Sequence, residues 1–115
     1  MSQKSLEALW TVEFMSNLQI FGSGVAVFET GRIFGGDDRY YYLGSFEVED
    51  GGFINSIVKV THFTGEPYYI FGARNEFRLA LSGKLNFPEM ELIGNVVGEP
   101  HLTMVLRLTW RVPLP

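Results

Sequence analysis

The chain has 115 residues and a net charge of −4 at pH 7, and 46% of its residues are hydrophobic. This length predicts a single domain over residues 1–115, and the hydrophobic content excludes a disordered chain. Its nine Lys and Arg residues are scattered, which argues against direct binding to nucleic acid because phosphate contacts need clustered positive charge.

The sequence carries no sign of export or of membrane insertion. Residues 1–10 lack the apolar core of a signal peptide, and no apolar run approaches the ~20 residues that a transmembrane helix needs. The chain also has no cysteine, so it can form neither a disulfide nor a thiolate metal site. These features together predict a cytoplasmic protein without a membrane partner.

Apolar and polar residues alternate along the first third of the chain, which is the pattern of half-buried strands. We predict a first strand over residues 9–14 and a second over residues 19–29. Gly22 and Gly24 lie on one face of the second strand, where missing side chains favour tight packing or strong curvature. A short strand at residues 33–34 and a turn at residues 35–38 follow.

The strongest strand signal covers residues 39–49, where Tyr40, Tyr42, Phe46 and Val48 share one face. An Asp-Gly-Gly sequence at residues 50–52 then predicts a hairpin, and the next strand covers residues 53–63.

A connector over residues 64–75 separates this hairpin from the last three predicted strands, which cover residues 76–85, 90–96 and 101–112. The connector contains the apolar run Tyr68-Tyr69-Ile70-Phe71, so we expect it to cover one end of the fold or to lie in an interface. The chain then has about eight strands joined mainly by short turns, which indicates an all-β fold, either an up-and-down barrel or a sandwich.

The order of these features resembles the GrlR-like family of negative regulators of type III secretion. The matching residues are Gly22, Gly24, Gly35, Gly36, Asp37, Tyr42 and Gly44. The resemblance implies a single antiparallel, lipocalin-like up-and-down β-barrel of about eight strands, usually dimeric and without enzymatic activity. Its best-studied role is the sequestration of a helix-turn-helix transcription activator.

In that family the hairpin after the tyrosine-rich strand carries a continuous acidic run. Here the acidic residues are Glu47, Glu49 and Asp50, and Val48 interrupts them. The resemblance makes these three carboxylates the candidate partner-binding residues of a regulatory interaction protein. The alternative interpretation is that they only keep an exposed strand end soluble.

No residue pattern points to catalysis, a metal or another cofactor. His62 and His101 are the only histidines, and neither lies in a ligand-pair spacing or near a nucleophile motif. The adjacent Asp37 and Asp38 follow two glycines, where aspartate commonly forms turns. We therefore expect a protein that is not an enzyme.

A second hypothesis is a carrier with a small apolar ligand in the barrel interior, lined by Tyr40, Tyr42 and Phe46. The opposing interpretation is that the interior is filled by the chain's own side chains. We also expect a homodimer, because the aromatic connector adds apolar surface that a single barrel would have to cover.

Overall fold

The computed structural model describes residues 6–115 as a closed barrel of antiparallel strands, which confirms the predicted all-β class and the up-and-down barrel. The eight barrel strands are β1 (Ala8–Ser16), β2 (Phe21–Glu29), β3 (Arg32–Gly36), β4 (Tyr40–Glu49), β5 (Phe53–His62), β8 (Glu76–Asn86), β9 (Glu89–Val96) and β10 (Glu99–Pro113). Each pairs with its neighbour in chain order, and β1 closes the barrel against β10.

Two further strands lie outside the barrel sheet. β6 (Tyr68–Tyr69) and β7 (Gly72–Ala73) form a small hairpin within the long connector. A tight turn at Asp50–Gly52 joins β4 to β5. Within residues 6–115 we find no helix with the length and apolarity needed to cross a membrane.

The strand ends differ from the predicted ones by one or two residues at most strands, and two of the differences have a clear structural cause or consequence. Residues 19 and 20 belong to the turn before β2, because Gln19 has a φ of 63° and the Ser16 amide donates to the carbonyl oxygen of Ile20 at 3.1 Å. β3 continues through two glycines that we assigned to a turn. A Cβ on Gly35 would collide with the backbone of Val25, so the missing side chain is what lets β2 and β3 pair. The last strand extends beyond the predicted residues 101–112 at both ends, from Glu99 to Pro113.

Large apolar side chains fill the barrel at both ends. Trp10, Phe28 and Phe46 form a cluster at the end of the barrel where β4 finishes. The ring centroids of Trp10 and Phe28 are 6.1 Å apart, and those of Phe28 and Phe46 are 5.1 Å apart. The indole Nε1 of Trp10 donates to the carbonyl oxygen of Leu6 at 2.9 Å. This end of the core is therefore closed by rings from three strands.

The glycines of β2 allow tight packing against neighbouring rings, and tight packing was one of the two alternatives that their shared face predicted. A Cβ on Gly22 would collide with the ring of Phe14, and one on Gly24 would lie 2.7 Å from the hydroxyl oxygen of Tyr42. The barrel interior therefore depends on glycine at both positions.

Candidate functional site

A segment of the long connector closes the second end of the barrel. We call residues 63–75 the lid segment. Its Tyr69, Ile70 and Phe71 are buried, and the Tyr69 ring lies 5.5 Å from that of Phe14. The hydroxyl of Ser16 also donates to the carbonyl oxygen of Ile70 at 2.6 Å. We expected this apolar connector either to cover one end of the fold or to lie in an interface, and these three residues cover one end of the barrel.

Asp37 holds the lid segment to the barrel through a four-donor hydrogen-bond cluster. Its Oδ1 accepts from the backbone amides of Arg39 and Tyr40, at 3.0 and 2.8 Å. Its Oδ2 accepts from the hydroxyls of Tyr42 and Tyr69, the latter at 2.7 Å. Asp37 follows the two glycines that end β3, so it forms the predicted turn and also binds Tyr42 on the next strand and the distant Tyr69.

The two tyrosine hydroxyls lie 3.0 Å apart and are buried. Burial raises the pKa of Tyr42, and its hydrogen bond to Asp37 raises it further. Burial also raises the pKa of Tyr69, and the neighbouring Tyr42 and Asp37 add to that effect. Both hydroxyls therefore stay protonated at neutral pH and act as donors to the carboxylate.

An ion pair also joins the lid segment to the first residue of β10. The Arg74 guanidinium donates to both carboxylate oxygens of Glu99, with N···O distances of 2.6 and 2.9 Å. This pairing lowers the pKa of Glu99 below its ordinary value and raises that of Arg74. Because the guanidinium binds both carboxylate oxygens, the pair also fixes the relative orientation of the two side chains.

The barrel interior retains one small apolar cavity of about 50 Å³. Pockets that hold drug-sized ligands measure roughly 300–1,000 Å³, so the described side chains fill most of the space that a carrier would need. Tyr42 lines this cavity. Tyr40 is buried beneath the lid segment, with its ring 4.2 Å from that of Tyr69, and Phe46 is buried in the cluster at the other end. The three predicted lining residues therefore do not converge on one space.

The acidic residues lie at the end of the barrel away from the lid segment, because β4 begins beneath that segment and ends at Glu49. Glu47, Glu49 and Asp50 are all exposed. Val48 and Phe53 beside them are also exposed, by 45% and 40%. We call these five residues the acidic tip.

The turn at the acidic tip depends on glycine. Gly51 and Gly52 have φ values of 82° and 80°, a backbone conformation that other residues adopt with strain. The Glu49 carboxylate accepts a hydrogen bond from Asn55 Nδ2 at 2.6 Å, which orients this side chain across the hairpin. The acidic tip therefore presents carboxylates and apolar groups on two strand ends that a defined turn connects.

Neither histidine lies in a group that suggests chemistry. His62 Nε2 is 2.8 Å from the carbonyl oxygen of Gly65, and its ring packs against Tyr40 at 5.3 Å. His101 is exposed. Residues 6–115 contain no group of three or more His, Cys, Asp or Glu side chains placed to hold a metal ion.

The sequence patterns did not identify Tyr69 as a partner of Asp37. The available signal was the apolar connector, which indicated burial but not the hydrogen-bond acceptor. Comparison with protein-family models and with curated proteins found no match for this chain.

Proposed function

We propose that this protein is a non-enzymatic regulatory binding protein that holds a protein partner through its acidic tip. The observation that carries the proposal is the combination of exposed Glu47, Glu49 and Asp50 with exposed Val48 and Phe53 at the end of one hairpin. Interfaces commonly join an apolar contact to complementary charge. The partner surface would be basic, with an apolar group at its centre.

The resemblance to GrlR-like regulators supports a transcription regulator of the helix-turn-helix class as that partner. Such proteins hold DNA through Lys and Arg side chains that contact phosphates. A carboxylate-bearing turn docked on those side chains would compete with DNA for the same positive charge. Binding at the acidic tip would therefore restrain the regulator without any chemical step.

The three carboxylates can be tested by charge reversal. We expect the wild-type protein to recover a basic protein from a lysate of its source cells, and the E47K/E49K/D50K variant to lose it. A control variant, D38K/E66K/E76K, changes the same number of charges among exposed residues at the lid end of the barrel. Recovery of the same protein by all three forms, or by none, would refute the proposal.

Carriage of a small apolar ligand is the alternative function, and the cavity of about 50 Å³ does not favour it. Mass spectrometry of the gently purified protein under native conditions distinguishes the two. The regulatory proposal predicts the mass of the chain alone or of whole copies of it. A stoichiometric excess mass of a small apolar compound would support the carrier.

A further inference from the structure

Four apolar side chains form a continuous row across the outer face of β2, β1, β10 and β9. Phe21 lies opposite Met15, Met15 opposite Val105, and Val105 opposite Ile93 in the strand registers. All four are exposed, and the exposed fraction reaches 75% for Phe21 and 55% for Ile93. Contiguous apolar groups on an outer face mark an interaction surface. We call these four residues the apolar row.

A charged row runs beside the apolar row, displaced by two residues along each strand. In the same strand order its members are Ser23, Glu13, Arg107 and Glu91. The three ionisable side chains are exposed, and their charge alternates in sign from one strand to the next. Residues of both rows line a surface depression of about 470 Å³. Together the two rows form what we call the paired-row face.

We propose that the paired-row face binds the same face of a second copy of this chain. The twofold axis would lie parallel to the strands, between β1 and β10. It would bring Phe21 against Ile93 of the second copy and Met15 against Val105 of the second copy. It would also bring Glu13 against Arg107 of the second copy, and symmetry repeats each of these contacts. Apolar groups then meet apolar groups, and carboxylates meet guanidinium groups.

The charges and the apolar row together favour this axis over its alternatives. An axis centred on β10 would place Arg107 against its own counterpart and Glu13 against Glu91, which are like-charge contacts in both cases. An axis running across the strands would place the charged row on the apolar row and desolvate Glu13 and Arg107 without partners. An axis parallel to the strands and between neighbouring strands matches charge with opposite charge. Between β10 and β9 such an axis would place Met15 against the polar Ser82, whereas between β1 and β10 it keeps all four apolar residues in contact with apolar residues.

The buried part of the lid segment does not form this face. We expected a dimer because the connector is apolar, but its Tyr69, Ile70 and Phe71 are buried against the chain's own barrel. The paired-row face is also separate from the acidic tip, which belongs to β4, β5 and the turn between them. Self-association and partner binding can therefore fail independently in experiments.

Complementary charge reversal tests the proposed geometry. We expect the wild-type protein to be a dimer in sedimentation equilibrium, and E13R and R107E each to weaken self-association by at least about tenfold because like charges then face each other. An equimolar mixture of E13R and R107E should form a heterodimer. In that pair the introduced arginine faces the introduced glutamate, and the unchanged Arg107 of one copy faces the unchanged Glu13 of the other. Circular dichroism of each variant checks that the barrel is folded.

A second pair of variants tests the apolar row. Ile93→Asp should weaken the dimer, whereas Leu43→Asp should not, although the two side chains are almost equally exposed at 55% and 53%. Leu43 lies on β4, outside the paired-row face. A wild-type protein that stays monomeric at its highest soluble concentration would overturn the proposal. So would a failure of the mixed variants to associate, or equal weakening by Leu43→Asp.

Discussion

Tyr69 donates its hydroxyl hydrogen to Asp37 across an O···O distance of 2.7 Å, although 32 residues separate the two in the sequence. This bond joins the lid segment to the turn between β3 and β4. Since the acceptor also holds Tyr42 and two backbone amides, one carboxylate positions parts of three elements. The stability of the lid end therefore depends on a few polar atoms.

Replacement of Tyr69 by Phe should lower the free energy of unfolding by about 1.5–3 kcal/mol, the usual range for a hydrogen bond to a charged group. Urea unfolding followed by tryptophan fluorescence measures this change. Tyr68→Phe is the matched control, because Tyr68 is adjacent and 51% exposed, and its effect should stay within about 0.5 kcal/mol. Equal effects of the two substitutions would contradict the role assigned to the Tyr69 hydroxyl.

Replacement of Asp37 by Asn should destabilise the protein by about 2–4 kcal/mol, because an amide nitrogen in place of Oδ2 leaves two buried hydroxyls without their acceptor. The backbone amides of Arg39 and Tyr40 can still donate to the remaining side-chain oxygen, so the turn itself should persist. Asp38→Asn serves as the control at an exposed neighbour. A destabilisation no larger than that of the control would show that the carboxylate is not needed.

The raised pKa values of Tyr42 and Tyr69 predict a loss of stability at high pH. The unfolded chain releases these phenol protons near pH 10, whereas the folded protein retains them. The stabilisation is therefore complete below about pH 10 and decreases above it, by about 1.4 kcal/mol per pH unit for each tyrosine.

Urea unfolding at a series of pH values from neutral to strongly alkaline measures that slope. The Tyr69→Phe variant should lose stability less steeply than the wild type above pH 10, because one of the two protons is absent. Parallel slopes for the two proteins would contradict the assignment. Comparison of the two forms cancels the titration of the other groups that they share.

Replacement of Gly22 by Ala should cost about 1–3 kcal/mol, the typical penalty for overpacking a filled core, because the new Cβ would collide with the Phe14 ring. Thermal unfolding followed by circular dichroism measures the effect. Ser23→Ala, at the next and exposed position of β2, provides the control. A Gly22→Ala protein as stable as this control would show that the Phe14 ring can move aside at little cost.

Alternation along the chain was sufficient to identify the barrel strands, because a period of two appears wherever one face of a strand is buried. Their ends were less certain. The turn before β2 depends on the positive φ of Gln19, which no residue preference indicated. The two adjacent glycines predict a turn, yet Gly35 belongs to β3 and pairs with Ala26 of β2, since glycine is typical of turns and also of strands that approach closely.

For the candidate sites, too, local sequence indicated some properties and the folded chain was needed for others. The acidic character of Glu47, Glu49 and Asp50 and their place beside a glycine turn are local properties, so the sequence was enough to single them out. Their exposure beside Val48 and Phe53 at the end away from the lid segment required the folded chain. The clustering of Phe21 and Ile93 on one face likewise follows from strand register and not from sequence distance.

The sequence by itself determined the all-β class, the inward faces of the strands and the turn chemistry at Asp37 and at residues 50–52, because these depend on neighbouring residues. Tertiary structure decided what distant residues do together. Closure of β1 against β10 brings Met15 beside Val105, and folding of the lid segment brings Tyr69 to Asp37. Such contacts are set by register and packing across the whole barrel, which local patterns do not encode.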